Sequence, residues 1–416
     1  MATIRPFMGI RPQAEYAEAV AALPYDVMNS EEAREMVQGK PYSFLHIDKA
    51  EVDLPQGTDI YSDAVYAKAK ENLEDMIAQG IFMQDLLPNL YIYRLTMNGN
   101  SQTGLVACTS IDEYLNGIIK KHELTRADKE ADRIRHVDTL NANTGPIFLA
   151  YKNNETARVI IEGWKTSNQP IYDFVSEDGI GHTVWVVDSD TEIGILVDSF
   201  RQVENLYIAD GHHRNASAVK VGLKRRELKE LYTGEEEYNY YLSVLFPADE
   251  LKIMDYNRVV KDLNGHTSEE FLALLTTKFE VAPYLGEGQL KPQKPHQFGL
   301  YLEGKWFSLT TKEEILSHDP VLGLDVSILQ KEVLEPLLAI GDPRTDKRID
   351  FVGGIRGLAE LEKRVDRGEM KLAFSLYPTS MDELIRVADA ERIMPPKSTW
   401  FEPKLRSGLF LHDLGE

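Results

Sequence analysis

The sequence holds a single cysteine, Cys108, in 416 residues, so no disulfide can close within the chain and a thiolate metal site is not expected. It is poor in positive charge: Lys+Arg number 46 against 67 Asp+Glu, a net charge of −21. A surface that negative repels polyanions at long range, which makes nucleic acid and anionic membrane poor general partners. It does not exclude a small phosphorylated ligand, which a local cluster of donors can hold. No apolar run approaches the ~20 residues of a membrane helix. The opening Met1-Ala-Thr-Ile-Arg-Pro-Phe7 has no basic stretch leading into an apolar one, so no secretory signal is expected. Internal repeats and low-complexity tracts are missing too. These absences point to a cytoplasmic protein.

What is present is an ordinary globular composition, 43% hydrophobic and 27% charged. At roughly 100–200 residues per domain the length suggests two or three domains. Helical and extended patterns alternate irregularly, which predicts a mixed α/β or α+β protein. Helical spacing runs over Tyr61–Gln79 and ends at Gly80, and a charged helix is expected over Arg126–Leu140. Leu90–Met97 and Gly104–Thr109 read as strands of a hairpin. Pro146–Tyr151, His182–Asp188 and Asn205–Ala209 are further strand-sized runs, with a helix expected over Thr191–Val203. Beyond the centre, helices are expected over Ser268–Phe279 and, strongly apolar, over Leu324–Ile340. The boundary is placed near 250: a core with an N-terminal elaboration over 1–250, and a C-terminal α/β region over 251–416 whose tail can return to the site.

The run Tyr207-Ile-Ala-Asp-Gly-His-His-Arg214 concentrates the chemistry. A strand ends, Gly211 allows a sharp turn, and a helix begins at once, extending to about Tyr232. The first N–H groups of such a helix have no partner inside it, and with the positive dipole end they form an anion site. Arg214 adds a planar fork that grips two phosphate oxygens. His212 and His213 can donate hydrogen bonds or move protons near neutral pH. Asp210 can cap the helix, hold Mg²⁺ or orient a histidine. The plainer reading makes Asp210 a cap and the histidines polar surface.

Gly211-His-His-Arg-Asn-Ala-Ser-Ala218 resembles the Gly-x-x-Arg-x-x-Ala box of the ParB/sulfiredoxin fold. More closely, Ala209-Asp-Gly-His-His-Arg214 resembles the domain-of-unknown-function family 1015. Arg5-Pro-Phe, Pro24-Tyr-Asp-Val, His122-Glu-Leu-Thr, Asp132-Arg, Asn143 with Pro146-Ile-Phe, and Met394-Pro-Pro-Lys-Ser-Thr-Trp-Phe-Glu-Pro-Lys404 carry the resemblance nearly end to end. That family looks related to free-serine kinases of the same fold. The resemblance implies a ParB/sulfiredoxin-like nucleotide-binding core with large additional α/β regions, ATP or ADP as donor, and nucleotide phosphates on Gly211, His212, His213, Arg214 and Asn215. His212 stands where sulfiredoxins carry their nucleophilic cysteine, so that redox chemistry is excluded.

Two further segments are candidates. His122 and Glu123 precede the charged helix; in an extended stretch adjacent side chains point to opposite sides. By resemblance Glu123 acts as base on a substrate hydroxyl; otherwise it is a favourable acid starting a helix. Lys397, Ser398 and Thr399 can wrap a phosphate, or the loop is a structural turn docking the tail. Together these imply a phosphotransferase for a small hydroxylated metabolite, with free L-serine as best guess and His122, Asp210, His212 and His213 assisting. The alternatives are a phosphoserine-type phosphatase on the same site, a metal-dependent hydrolase with His122, Asp210, His212 and His213 as ligands, and a non-catalytic nucleotide-binding module.

Overall fold

The computed structural model describes residues 1–229 and 231–415. The chain divides into two units: Met1–Leu251 joined by Pro403–Glu416, and Lys252–Glu402. It is mixed α/β, as the alternating patterns predict.

The first unit is built on a nine-stranded sheet. Its strands are β1 (Ile4–Arg5), β2 (Leu90–Met97), β3 (Asn100–Ser110), β4 (Ile119–Lys120), β5 (Ile147–Tyr151), β6 (Tyr172–Val175), β7 (Gly181–Val187), β8 (Leu206–Asp210) and β9 (Tyr240–Pro247). Spatially they run β4-β8-β5-β9-β3-β2-β7-β6, with β1 added beside β3. The β8–β4 and β9–β5 pairs are parallel and the others antiparallel. β5 is buried at every residue and β8 at all but its last, so both read as short continuous apolar runs rather than alternating ones. Around the sheet lie α1 (Asp63–Ala78), α2 (Ala127–Leu140), α3 (Glu155–Ser167), α4 (Asp190–Phe200) and α5 (His212–Leu228). Ile92, Leu105, Leu149, Leu206, Ile208 and Leu245, all essentially inaccessible, form the centre of the core.

α2 packs along α5, pinned by polar contacts as well as apolar ones. Ser217 Oγ donates to the Glu130 carbonyl at 3.2 Å, and Lys220 pairs with the Glu130 carboxylate. The last residues of the chain belong to this unit: Leu411 exchanges backbone hydrogen bonds with Ile10, and His412 pairs with Asn143.

The second unit has a six-stranded antiparallel sheet of β10 (Tyr256–Val260), β11 (Phe279–Pro283), β12 (Gln297–Leu302), β13 (Lys305–Thr311), β14 (Ile349–Gly353) and β15 (Leu372–Leu376). Its spatial order is β11-β13-β12-β15-β10-β14. Helices α6 (Ser268–Leu275), α7 (Asp325–Leu329), α8 (Ala359–Asp366) and α9 (Met381–Asp389) accompany it. α6 and α9 each begin with a reciprocal capping box, Thr267 with Glu270 and Ser380 with Glu383.

Several expected helices are shorter than their patterns. The α6 pattern runs on to Phe279, but Phe279 opens a strand. The 324–340 pattern yields α7 followed by a wider π turn over Gln330–Leu334, because an apolar run fixes burial and not the hydrogen-bond spacing. α5 ends at Leu228, short of Tyr232, and Glu230 in that expected stretch lies outside the described residues, as does Glu416 at the end of the C-terminal region. Among the described residues no helix is long and apolar enough to cross a membrane.

Candidate functional site

β8 delivers Asp210 to the sheet edge, and the chain turns at Gly211 with φ 91° and ψ 30°. That left-handed conformation is cheap only for glycine. A side chain would also collide in part: a Cβ at Gly211 would lie 3.2 Å from the Arg214 guanidinium. Arg214 is folded back over the turn, where its Nη1 donates to the Pro146 carbonyl at 2.5 Å. The next residue, Asn215, is completely buried, yet neither its Oδ1 nor its Nδ2 meets a hydrogen-bond partner, and Arg214 Nε is likewise buried and unmet. An unmet buried polar group costs about 1–3 kcal/mol. Three such atoms lie on adjacent residues in the first turns of one helix, enclosed by protein beneath the turn.

The charge at the turn is balanced across the fold. Asp210 Oδ1 accepts the Gly211 N–H at 2.7 Å, and Asp210 Oδ2 lies 3.0 Å from Lys404 Nζ. Burial pushes the Asp210 carboxyl up, but Lys404 and Arg214 together outweigh it and hold the group well below the usual carboxylate range. Asp210 is therefore an anion already met by a cation and an amide.

His122 and Glu123 converge on the same place. The expectation that they face opposite sides fails, because residues 121–126 form no strand and the chain bends at Glu123. The His122 and His212 rings meet edge to face with centroids 4.5 Å apart, and the His122 backbone N–H points at His212 Nε2 from 3.5 Å. Ligand atoms of His122, Glu123 and His212 all lie within 4.8 Å of one another. Burial lowers the His122 pKa to about 4, against a ring hydrogen bond to the Ile208 carbonyl. Burial also drives His212 well below its ordinary value, with His122 adding to the effect. Both rings are thus neutral at pH 7. His213 points elsewhere: its Nε2 accepts the Arg126 N–H at 3.0 Å.

Beside Arg214 opens a small cleft of about 20 Å³, room for one or two water molecules, whose walls include Tyr25, Asp48, Arg133, His136 and Asn143. The Arg133 guanidinium lies 4.0 Å over the Tyr25 ring, with Nε held by Asp132 at 2.9 Å. Asp48 accepts from Thr144 Oγ1 at 3.1 Å. Tyr25, Arg133 and Asn143 stand in motifs the sequence displays, whereas Asp48 and His136 carry no local signal. Lys404 also closes a visible motif, but nothing in sequence ties it to Asp210. The other residues picked from that motif, Lys397, Ser398 and Thr399, lie in the second unit. There the Lys397 carbonyl accepts from Arg258 at 2.9 Å, the Ser398 carbonyl accepts from Thr379, and Ser398 Oγ donates to the Pro395 carbonyl.

A strand, a glycine turn and a helix N-terminus bearing a fixed arginine define an α/β protein with a candidate anion-binding turn. The chain belongs to the family described as "Protein of unknown function (DUF1015)", whose pattern matches residues 4–327. Among solved structures it is similar to a free serine kinase in complex with AMP, at 15% identity over 74% of this chain and 92% of that chain, with a TM-score of 0.37. It is similar to a conserved hypothetical protein from Pyrococcus furiosus at 16% identity over 74% and 95%, TM-score 0.36. SbnI with a C-terminal truncation, from Staphylococcus aureus, is similar at 11% identity over 74% and 87%, TM-score 0.39. No curated protein matches the chain.

Proposed function

We propose that this protein is a nucleotide-dependent phosphotransferase acting on a small hydroxylated metabolite, with a free hydroxyamino acid such as L-serine as the acceptor. The observation that supports this best is the turn at Gly211–Asn215. Arg214 is fixed over the turn by Pro146, and the polar atoms of Asn215 and Arg214 Nε are buried without partners. A nucleotide phosphate suits the helix N-terminus and the guanidinium fork together.

The residues around the small cleft next to Arg214 carry charges that suit the acceptor. Arg133 and Arg214 offer two guanidinium groups and Asp48 one carboxylate, all within its walls. A zwitterion has the complementary charges: its carboxylate meets an arginine and its ammonium meets Asp48. In the transfer, the acceptor oxygen bonds to phosphorus while the bond to the leaving phosphate breaks, and the hydroxyl proton passes to Glu123. Arg214 and the helix N-terminus stabilise the charge on the transferred group. His122 and His212 are buried beside the half-buried Glu123.

The test is phosphorus NMR of the full chain with magnesium–ATP or magnesium–ADP and a panel of hydroxylated amino acids and sugars. Transfer to a hydroxyamino acid is expected. Glu123→Gln is expected to keep nucleotide binding and to lose turnover by about 10²–10⁴-fold, the usual worth of a general base. Release of inorganic phosphate from O-phosphoserine alone, without transfer, would replace the kinase reading with a phosphatase.

A further inference from the structure

The geometry points to a metal site in the first unit, next to the glycine turn: we infer that His122, Glu123 and His212 bind a first-row divalent transition metal, with zinc as the best fit. Two imidazoles and one carboxylate are the ligand set of three-ligand zinc sites that keep a position open. Imidazole ligands favour such metals over Mg²⁺.

Ligands at about 2.0–2.1 Å from a tetrahedral zinc are about 3.4 Å apart. The candidate atoms lie within 4.8 Å of one another, so small side-chain rotations close the difference. His212 Nε2 accepts only a long contact from the His122 backbone N–H at 3.5 Å, too weak to compete with coordination. The His122 ring hydrogen bond to the Ile208 carbonyl fixes its tautomer and orientation, as the outer-shell partner of a metal-bound histidine does. Both histidines are buried, at 1% and 7% exposure, and Glu123 is half-buried. This is therefore not a chance cluster of surface side chains. His213 and Asp210, the other ligands that the motif suggests, are turned to the Arg126 N–H and to Lys404. A carboxylate bound through one oxygen keeps the other for a proton, so the site is compatible with Glu123 as a base. It does not depend on the phosphotransfer reading.

The experiment uses the full chain without a histidine tag, stripped by chelator and checked for unchanged circular dichroism. It is titrated with Co²⁺ and then Zn²⁺. One saturable equivalent is expected, with visible Co²⁺ absorption that Zn²⁺ abolishes. Loss of an outer-shell partner alone costs 10–100-fold in affinity. His212→Asn is therefore expected to weaken binding by at least about 100-fold, and Glu123→Gln by at least about 10-fold. Glu123→Gln preserves shape at a half-buried position, which keeps the test decisive if the His212 variant does not fold. His318→Ala, at an exposed histidine, is expected to bind as the wild type does. Absence of a saturable equivalent in folded protein, or uptake unchanged by both site variants, overturns the inference. AMP binding is measured in parallel: metal uptake without AMP binding counts against the phosphotransferase alone, and AMP binding without metal uptake counts against the metal site alone.

Discussion

Lys404 and Asp210, far apart in sequence, meet as an ion pair with Nζ 3.0 Å from Oδ2, and the pair sits at the mouth of the Gly211 turn. In the proposed nucleotide site it offsets a carboxylate that would otherwise repel a phosphate. Lys404→Met leaves that charge uncompensated. A partly exposed pair of this kind is worth about 1 kcal/mol, so AMP affinity is expected to fall by about fivefold. Adding Asp210→Asn to Lys404→Met removes the repulsion and is expected to restore most of the affinity. A double-mutant cycle by calorimetry checks this. Additive losses would show that Lys404 acts on something other than Asp210.

Gly211→Ala places a side chain at φ 91° and 3.2 Å from the guanidinium. The backbone term costs about 1–2 kcal/mol, enough to lower the melting temperature by a few degrees without unfolding the unit. The larger effect is on Arg214, which has to leave its place over the turn. AMP affinity is expected to drop at least about tenfold, on the order of one lost charged hydrogen bond. Gly145→Ala is the control: a Cβ there meets Ser407 Oγ and Arg214 at 3.4–3.6 Å, ordinary contact, and near-normal binding is expected. Equal losses in the two variants would mean that packing near Pro146, and not the turn, sets the affinity.

The turn itself was legible in sequence because everything that makes it is local. An apolar strand, a glycine and a helix start within a few residues can form one geometry, and the structure has β8 ending at Asp210 and α5 starting at His212. The same holds for the hairpin of β2 and β3 around Asn98-Gly99. What was not legible depends on residues far apart in the chain. Nothing near Asp48 or His136 marks them as walls of a cleft, and no spacing rule links Lys404 to Asp210. The convergence of His122 with Glu123 was missed for a different reason. The alternation rule applies to strands, and residues 121–126 are a bend.

Arg214 is the residue whose replacement separates charge from shape. Its fork is anchored by one Nη1 bond to Pro146, which orients the plane. Arg214→Ala is expected to weaken AMP by about 10–100-fold, the worth of a charged hydrogen bond at 1.5–3 kcal/mol. Arg214→Lys keeps the charge but cannot hold Pro146 and two phosphate oxygens at once, so it is expected to recover only a minor part. Full recovery with lysine would mean that the site senses charge alone.

His136 supplies a pH dependence on the stability of the first unit. Its Nε2 bonds the Ile47 carbonyl at 3.1 Å, while Nδ1 is buried without a partner. Burial, with Arg133 adding repulsion, lowers its pKa from 6.5 to about 4. A histidine depressed on folding takes up its proton more readily in the unfolded chain. The stability it permits is thus present above pH 6.5 and is lost as pH falls toward 4. Between pH 7.5 and 5 the loss from this residue alone is about 2 kcal/mol. His136→Gln keeps a polar side chain that cannot titrate, so its stability is expected to fall by about 2 kcal/mol less than the wild type's over that interval. Hydrogen exchange of the β5 amides at pH 7.5 and 5.0, corrected for intrinsic rates, reads the difference within this unit. Parallel loss in both proteins would show that His136 is reached by water and is not the group that acid attacks.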